Sequence, residues 1–68
     1  MRNIMVSKLK IARIKADLSQ VRLADLAGTY QTRLSAIERG KRPDREEAER
    51  IAQAVGVPPE DLFDGYYK

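Results

Sequence analysis

Apolar residues recur every three or four positions along most of the chain, which is the spacing of helices that bury one face. Glycine and proline residues separate these runs into segments. The pattern predicts an all-α, compact domain of five helices. The predicted helices cover about residues 7–17, 19–28, 31–39, 44–56 and, as a short last element, 58–63.

Polar residues before the apolar runs predict where the helices begin. Ser7 and Ser19 precede the first two helices, and their hydroxyls can accept hydrogen bonds from amides of the first turn. Asp44 can cap the fourth helix while Glu47, three residues later, reaches back toward it as in a capping box. Gly28 can adopt the left-handed conformation that ends the second helix.

The apolar faces of these helices predict one small core. The 68 residues form a single domain, because a chain this short buries only about 60% of the surface that its unfolded form exposes. We expect the core to span residues 7–63, and 1–6 and 64–68 to be flexible ends. No apolar run approaches the ~20 residues that a membrane-spanning helix needs. The inward positions are Leu9, Ala12, Arg13, Ala16, Leu23, Ala24, Ala27, Leu34, Ile37, Ala48, Ile51, Ala52 and Val55.

The composition argues against catalysis and metal binding. The chain contains no Cys and no His, so disulfides are excluded and the usual soft-metal ligands, thiolate nucleophile and imidazole base are missing. We expect no cofactor, no metal and no enzyme activity. Glu46 and Glu49 have the spacing of a carboxylate pair, but they belong to an acidic stretch that we expect to be a solvated face.

Charge is distributed unevenly along the chain. Residues 1–43 contain ten Lys or Arg and three Asp or Glu, a net charge of +7, whereas residues 44–68 contain three and seven, a net charge of −4. A basic region on a small domain favours a phosphate-rich partner such as nucleic acid, although a solvated face produces the same composition.

Residues 19–43 have the spacing of a helix-turn-helix. Ala24 is small where two helices cross closely, and Gly28 permits the positive φ of the reversal between them. Leu34 and Ile37 anchor the following helix on the core. The opposite side of that helix is then free to enter a DNA major groove about 12 Å wide.

The chain resembles a known family at these positions. The matching pieces are residues 18–20, Leu23 and Ala24, Gly28, and the run 35–43, while IAQAVGV and EDLF fit two later helices. Together they resemble the lambda-repressor-like helix-turn-helix family of phage repressors and Cro proteins, also called the xenobiotic-response-element type. The resemblance covers about residues 9–63. It implies a five-helix DNA-binding fold in which helices 2 and 3 form the helix-turn-helix.

The resemblance also implies which side chains contact bases. The third helix corresponds to the family's recognition helix. Glutamine can pair with adenine, arginine with O6 and N7 of guanine, and a threonine methyl can meet a thymine methyl, whereas alanine offers only apolar contact. The implied base contacts are Gln31, Thr32, Arg33 and Ala36.

Phosphate contacts are implied at the start of the second helix and in the loop after the third. Gln20 matches the family's phosphate-binding glutamine, and Lys41 and Arg42 match its basic loop. The Tyr30 phenol can bond a phosphate or pack against the protein, and the residues leave both roles open. Either Tyr30 or Thr29 can cap the third helix.

Three charged residues have structural implications in this comparison. Arg13 and Glu38 match a pair that bridges the first and third helices of the family, so we expect an ion pair there and no base contact. Arg22 stands where the family often has a glutamate. A cation at this position opposes the helix dipole, and a nearby DNA phosphate would make it easier to tolerate.

These inferences predict a cytoplasmic, nucleoid-associated regulator. The expected function is sequence-specific DNA binding by a repressor-like or controller protein that reads a short palindromic operator through its third helix. The alternative is a protein-interaction module, such as an antitoxin or anti-repressor, on the same fold. The expected partners are double-stranded DNA and a second copy of the chain, with an interface formed by Phe63, Tyr66 and Tyr67 or by Ile11, Ile14 and Leu18.

Overall fold

Four α-helices and one 3₁₀ turn form the computed structural model, which describes residues 7–64. Residues 7–64 contain no strand, so the all-α prediction is confirmed for them. None of the helices in this range is long and apolar enough to cross a membrane. The elements are α1 (Lys8–Lys15), α2 (Gln20–Leu26), α3 (Gln31–Glu38), α4 (Arg45–Val55) and the 3₁₀ turn Pro59–Asp61.

Three of the four helices begin at the capping residues that the sequence predicts. Ser7, Ser19 and Asp44 each accept a hydrogen bond from the backbone amide three residues later, at 3.0, 3.0 and 2.8 Å respectively. Each cap satisfies one amide that the helix leaves without an internal partner. The starts of α1, α2 and α4 are therefore fixed by local chemistry.

The core lies where α2 packs against α3 and α4, and α4 against the 3₁₀ turn. Its fully buried large side chains are Leu9, Leu23, Leu34 and Ile51, with the apolar residues between them completing the cluster. Leu18, predicted as part of a partner interface with Ile11 and Ile14, is partly buried and packs against this core. Its predicted companions Ile11 and Ile14 are exposed.

The turn between α2 and α3 has the geometry that the sequence predicts. Gly28 has a φ of +68°, and Ala24 is buried at the crossing of the helices. The amide of Thr29 donates to the carbonyl of Ala24 at 2.9 Å, and Nε of Arg50 donates to the carbonyl of Ala27 at 2.8 Å. These bonds close the end of α2 and set the direction of α3.

The last element differs from the predicted fifth helix. Residues Pro59–Asp61 form a single 3₁₀ turn, in which the amide of Asp61 donates to the carbonyl of Pro58 at 2.9 Å. Leu62 then turns into the core and is buried. Pro59 stands at the first position of the turn, where its fixed φ and missing amide hydrogen are tolerated.

Glu47 departs from one prediction. Its backbone amide donates to Asp44 and a backbone hydrogen bond from Asp44 reaches its carboxylate, as a capping box requires, but the carboxylate also accepts hydrogen bonds from Arg33 and Thr29. The residue is 6% exposed, so the expectation that it lies on a solvated acidic face is wrong. Glu46 and Glu49 on the same helix are exposed as expected.

Candidate nucleic-acid interface

The helix α3 is held to the protein by one face and open on the other. Leu34 and Ile37 are buried in the core. Tyr30 occupies the N-cap position without a side-chain capping bond, while the Thr29 hydroxyl donates to Glu47 at 3.3 Å. Of the two start positions that the sequence left open, the structure therefore begins α3 at Gln31.

The predicted base-contacting residues differ in exposure. Gln31 and Thr32 are exposed at the start of α3, whereas Arg33 and Ala36 are partly buried. Tyr30, directly before the helix, has 79% of its surface exposed. Because Leu34 and Ile37 fix the inner side of the helix, these residues gather on its outer side and at its N-terminal end.

Gln20 links the start of α2 to the start of α3. Its Nε2 donates to Oε1 of Glu38 at 3.0 Å, and its Oε1 accepts from Nε2 of Gln31 at 3.4 Å. The two glutamines, predicted to contact phosphate and base respectively, therefore lie side by side. One N–H of the Gln20 amide is occupied by Glu38, which leaves the second for another acceptor.

An ion pair joins α1 to α3 beneath this end of the molecule. Nε of Arg13 lies 2.7 Å from Oε2 of Glu38, and Nη1 of Arg13 donates to the carbonyl of Leu18 at 2.8 Å. The side chains are only 11% and 5% exposed. Partly shielded pairs of this kind hold orientation more than they add net stability.

A second ion pair joins α3 to α4 and was not predicted from the sequence. Nε and Nη2 of Arg33 donate to the carboxylate of Glu47, the shortest distance being 2.8 Å from Nη2 to Oε1. The position of Glu47 in the sequence of α4 indicates that it has a buried partner. Glu47 precedes Ala48 and lies four residues before Ile51, on the inward stripe of α4, where a charge requires a buried partner.

The carboxylate of Glu47 is stabilised in its charged form. Hydrogen bonds from Arg33 hold the pKa of Glu47 below its ordinary value of 4.5, although burial acts in the opposite direction. The Thr29 hydroxyl also donates to it. Glu47 is therefore ionised at neutral pH and fixed between the turn, α3 and α4.

Cationic side chains flank the exposed end of α3. Arg22 is exposed, and its Nη1 lies 3.7 Å from Oδ2 of Asp25, which is a weak surface ion pair. A shallow groove of about 460 Å³ is lined by Arg22, Tyr30 and Gln31 among others, which places Arg22 beside the start of α3. Beyond the other end of the helix, Lys41 and Arg42 are both exposed in the loop that leads to α4.

Sequence comparisons match this architecture to known proteins. A family model described as helix-turn-helix matches residues 9–62, from α1 through the 3₁₀ turn. Over 51 residues the chain is 41% identical to the control protein C.BamHI of Bacillus amyloliquefaciens. This match covers 74% of the chain and 63% of the relative's length, so the chain spans less than two thirds of that protein.

Proposed function

The chain belongs to the lambda-repressor-like helix-turn-helix family, and on this basis we propose that it is a sequence-specific transcriptional regulator that reads a short palindromic operator with α3. One observation carries the proposal. Leu34 and Ile37 anchor α3 in the core while Gln31 and Thr32 stand exposed at its N-terminal end. A helix held in this way can enter the major groove with its first turn directed at base edges.

The proposed base contacts follow from the side-chain chemistry. Gln31 pairs with adenine, the methyl of Thr32 meets a thymine methyl, and Arg33 donates to O6 and N7 of guanine. Ala36, one turn further along α3, contributes apolar contact only. Nε2 of Gln31 donates to Oε1 of Gln20 at 3.4 Å. This hydrogen bond restricts the Gln31 side chain before DNA binds, so the side chain loses less conformational entropy on binding.

Contacts to phosphate fix the register on DNA without encoding sequence. We assign them to Gln20 through its second amide N–H, to Tyr30 through its exposed hydroxyl, and to Lys41 and Arg42 in the loop after α3. The high exposure of Tyr30 supports the phosphate role over the packing role.

A homodimer would give this short helix enough contacts. The eight residues of α3 span about 12 Å, so one copy covers few base pairs. Two copies related by a two-fold axis would read half-sites about 34 Å apart on the DNA. We place this binding in the cytoplasm. Of the two predicted interfaces, Phe63 is partly buried and Ile11 and Ile14 are exposed, while Tyr66 and Tyr67 lie outside the described residues.

Selection of preferred duplexes from a random pool tests the proposal, because symmetry in the selected sites reports dimeric binding. Arg33→Ala should weaken binding to the selected duplex by about 1–3 kcal/mol and relax the base preference at one position. Arg42→Ala should weaken binding to selected and random duplexes alike. Equal losses on both duplexes for both variants would refute the base-reading role of Arg33.

A second candidate function is a protein-interaction module. Ile11 and Ile14 on α1 are 43% and 58% exposed, which is the observation that favours it. Ile14→Asp separates the two functions in a reporter assay of regulation. If Ile14→Asp abolished regulation while Lys41→Ala left it intact, the interaction module would be the better description.

A further inference from the structure

Arg33 is held by Glu47 along only one of its two hydrogen-bonding edges. The carboxylate accepts from Nε at 3.0 Å and from Nη2 at 2.8 Å, which is the side edge of the guanidinium. A guanidinium has five N–H donors. The end edge, formed by one N–H of Nη1 and the second N–H of Nη2, is not used by this bridge.

Glu47 is the more buried partner of this bridge. The Glu47 side chain is 7% exposed and the Arg33 side chain 31%, so the carboxylate lies on the inner side of the pair. The two parallel N–H groups of the end edge match the spacing of guanine O6 and N7, the commonest base-specific contact in protein–DNA complexes. The bridge thus leaves available the donors that guanine recognition needs.

We infer that Glu47 is a positioning residue for base recognition, which fixes the guanidinium of Arg33 so that its free edge faces a guanine in the major groove. The inference rests on the proposed DNA-binding function. Glu47 contacts no base itself and acts through Arg33.

Two features of the surroundings make Glu47 a firm support. Its carboxylate also accepts from the Thr29 hydroxyl, and its backbone amide is capped by Asp44. Arginine has large rotamer freedom, and a side chain ordered before binding loses less entropy when the complex forms. The support for Glu47 therefore comes from the turn between α2 and α3 and from the start of α4.

The bridge also changes how Arg33 contributes to unspecific binding. The carboxylate offsets the charge of the guanidinium, so the pair attracts phosphate less than a free arginine would. Glu47 should consequently favour the specific complex and disfavour random DNA. The opposing possibility is that Glu47 only sequesters Arg33 from DNA, in which case its removal would strengthen both kinds of binding.

Glu47→Gln distinguishes these possibilities, with Glu46→Gln as the matched control. Both variants remove one negative charge from α4, but Glu46 is exposed. The probes are the selected duplex, the same duplex with 7-deazaguanine at the contacted position, and a random duplex. We expect Glu47→Gln to weaken binding to the selected duplex about tenfold and to lose the effect of 7-deazaguanine, while binding to random DNA is unchanged or stronger. Glu46→Gln should keep the wild-type preference for guanine.

A double-mutant cycle with Arg33→Lys keeps the inference testable if Glu47→Gln is less stable. Lysine retains the charge but lacks the planar fork, so adding Glu47→Gln to it should change affinity for the selected duplex less than about twofold. All binding is measured at a temperature where circular dichroism shows each variant folded.

Three results have separate meanings in this experiment. Tighter binding of Glu47→Gln to both selected and random duplexes would overturn the inference in favour of sequestration. An unchanged affinity together with an unchanged 7-deazaguanine effect would overturn it in favour of a purely structural bridge. If instead the wild-type protein selected no preferred duplex, the proposed function itself would fail, whatever the variants did.

Discussion

Glu47 combines near-complete burial with a negative charge, which a protein interior tolerates only when the charge is paired and hydrogen-bonded. Arg33 and Thr29 supply those bonds, and Arg33 lies on the helix that we propose reads bases. The bridge therefore couples the stability of the domain to the geometry of its recognition surface. The stability of the domain and its recognition of DNA can be measured in separate experiments.

The stability of the protein should fall in acid partly through Glu47. Since its pKa in the folded protein is below 4.5, its contribution is complete above about pH 4.5 and is lost as the pH falls through the folded-state pKa. Urea unfolding between about pH 7 and pH 3 should show a shallower decline for Glu47→Gln than for the wild type. Glu46→Gln serves as the control, and an identical decline for wild type and Glu47→Gln would contradict the prediction.

The helices are tied to one another by polar contacts beneath the recognition surface. Arg13 on α1, Glu38 on α3 and Gln20 on α2 form one network, and its members are half-buried or nearly inaccessible. A network of this kind restricts how α3 can tilt relative to α2. It makes the angle of the recognition helix a property of three elements together.

Breaking the α1–α3 pair should destabilise the domain strongly. Arg13→Ala leaves the Glu38 carboxylate buried with only Gln20 as partner, so we expect a loss of about 3 kcal/mol in the free energy of unfolding. Lys8→Ala provides the contrast, because the Lys8–Asp64 pair is 58% and 86% exposed, and solvent screens such a pair so that it contributes little to stability. Urea denaturation measures both variants, and similar losses for the two would be inconsistent with this account.

The start of α2 should show an opposition between stability and DNA binding. Ser19 caps the helix, and Arg22 follows at the position of a capping-box acid. Arg22→Glu would supply that acid and complement the helix dipole, so it should stabilise the protein by about 0.5 kcal/mol. The same change places a negative charge beside the start of α3 and should weaken binding to all duplexes, as fluorescence anisotropy can measure. Unaltered DNA affinity would show that no phosphate lies near Arg22.

In the folded protein, positive and negative charges are less separated from each other than they are along the sequence. The basic first part and the acidic second part are joined by Lys8–Asp64 and Arg33–Glu47, each of which pairs a cation from one part with an anion from the other. Lys41 in the exposed loop and Arg22 beside α3 remain at the proposed DNA-binding surface. Affinity for DNA should therefore depend on a few positions and not on net charge.

Salt titration tests this expectation. The logarithm of the association constant should fall linearly with the logarithm of salt concentration, by about 0.9 per neutralised phosphate. Lys41→Ala should reduce that slope by about 0.9 for each bound copy, whereas Lys8→Ala, which removes the same charge from α1, should leave it unchanged. Equal effects of the two variants would indicate that net charge alone governs binding.

The order of residues was sufficient to predict the four α-helices, the caps of α1, α2 and α4, and the geometry of the turn. Ser7, Ser19 and Asp44 cap the helices they precede, and Gly28 has the positive φ that the reversal requires. These features depend on interactions between residues within about four positions of one another, which a linear pattern records directly. The roles of the exposed residues on α3 follow from family resemblance and stay predictions.

Packing between helices decided what the linear pattern left open or misplaced. Leu18 packs against the core, the segment after Pro58 closes as one turn, and Glu47 faces inward against Arg33, fourteen residues earlier. The partner of a buried charge depends on how α3 lies across α4, which no spacing within either helix specifies. For the same reason, the edge of Arg33 available to DNA could be identified only after the two helices were placed together.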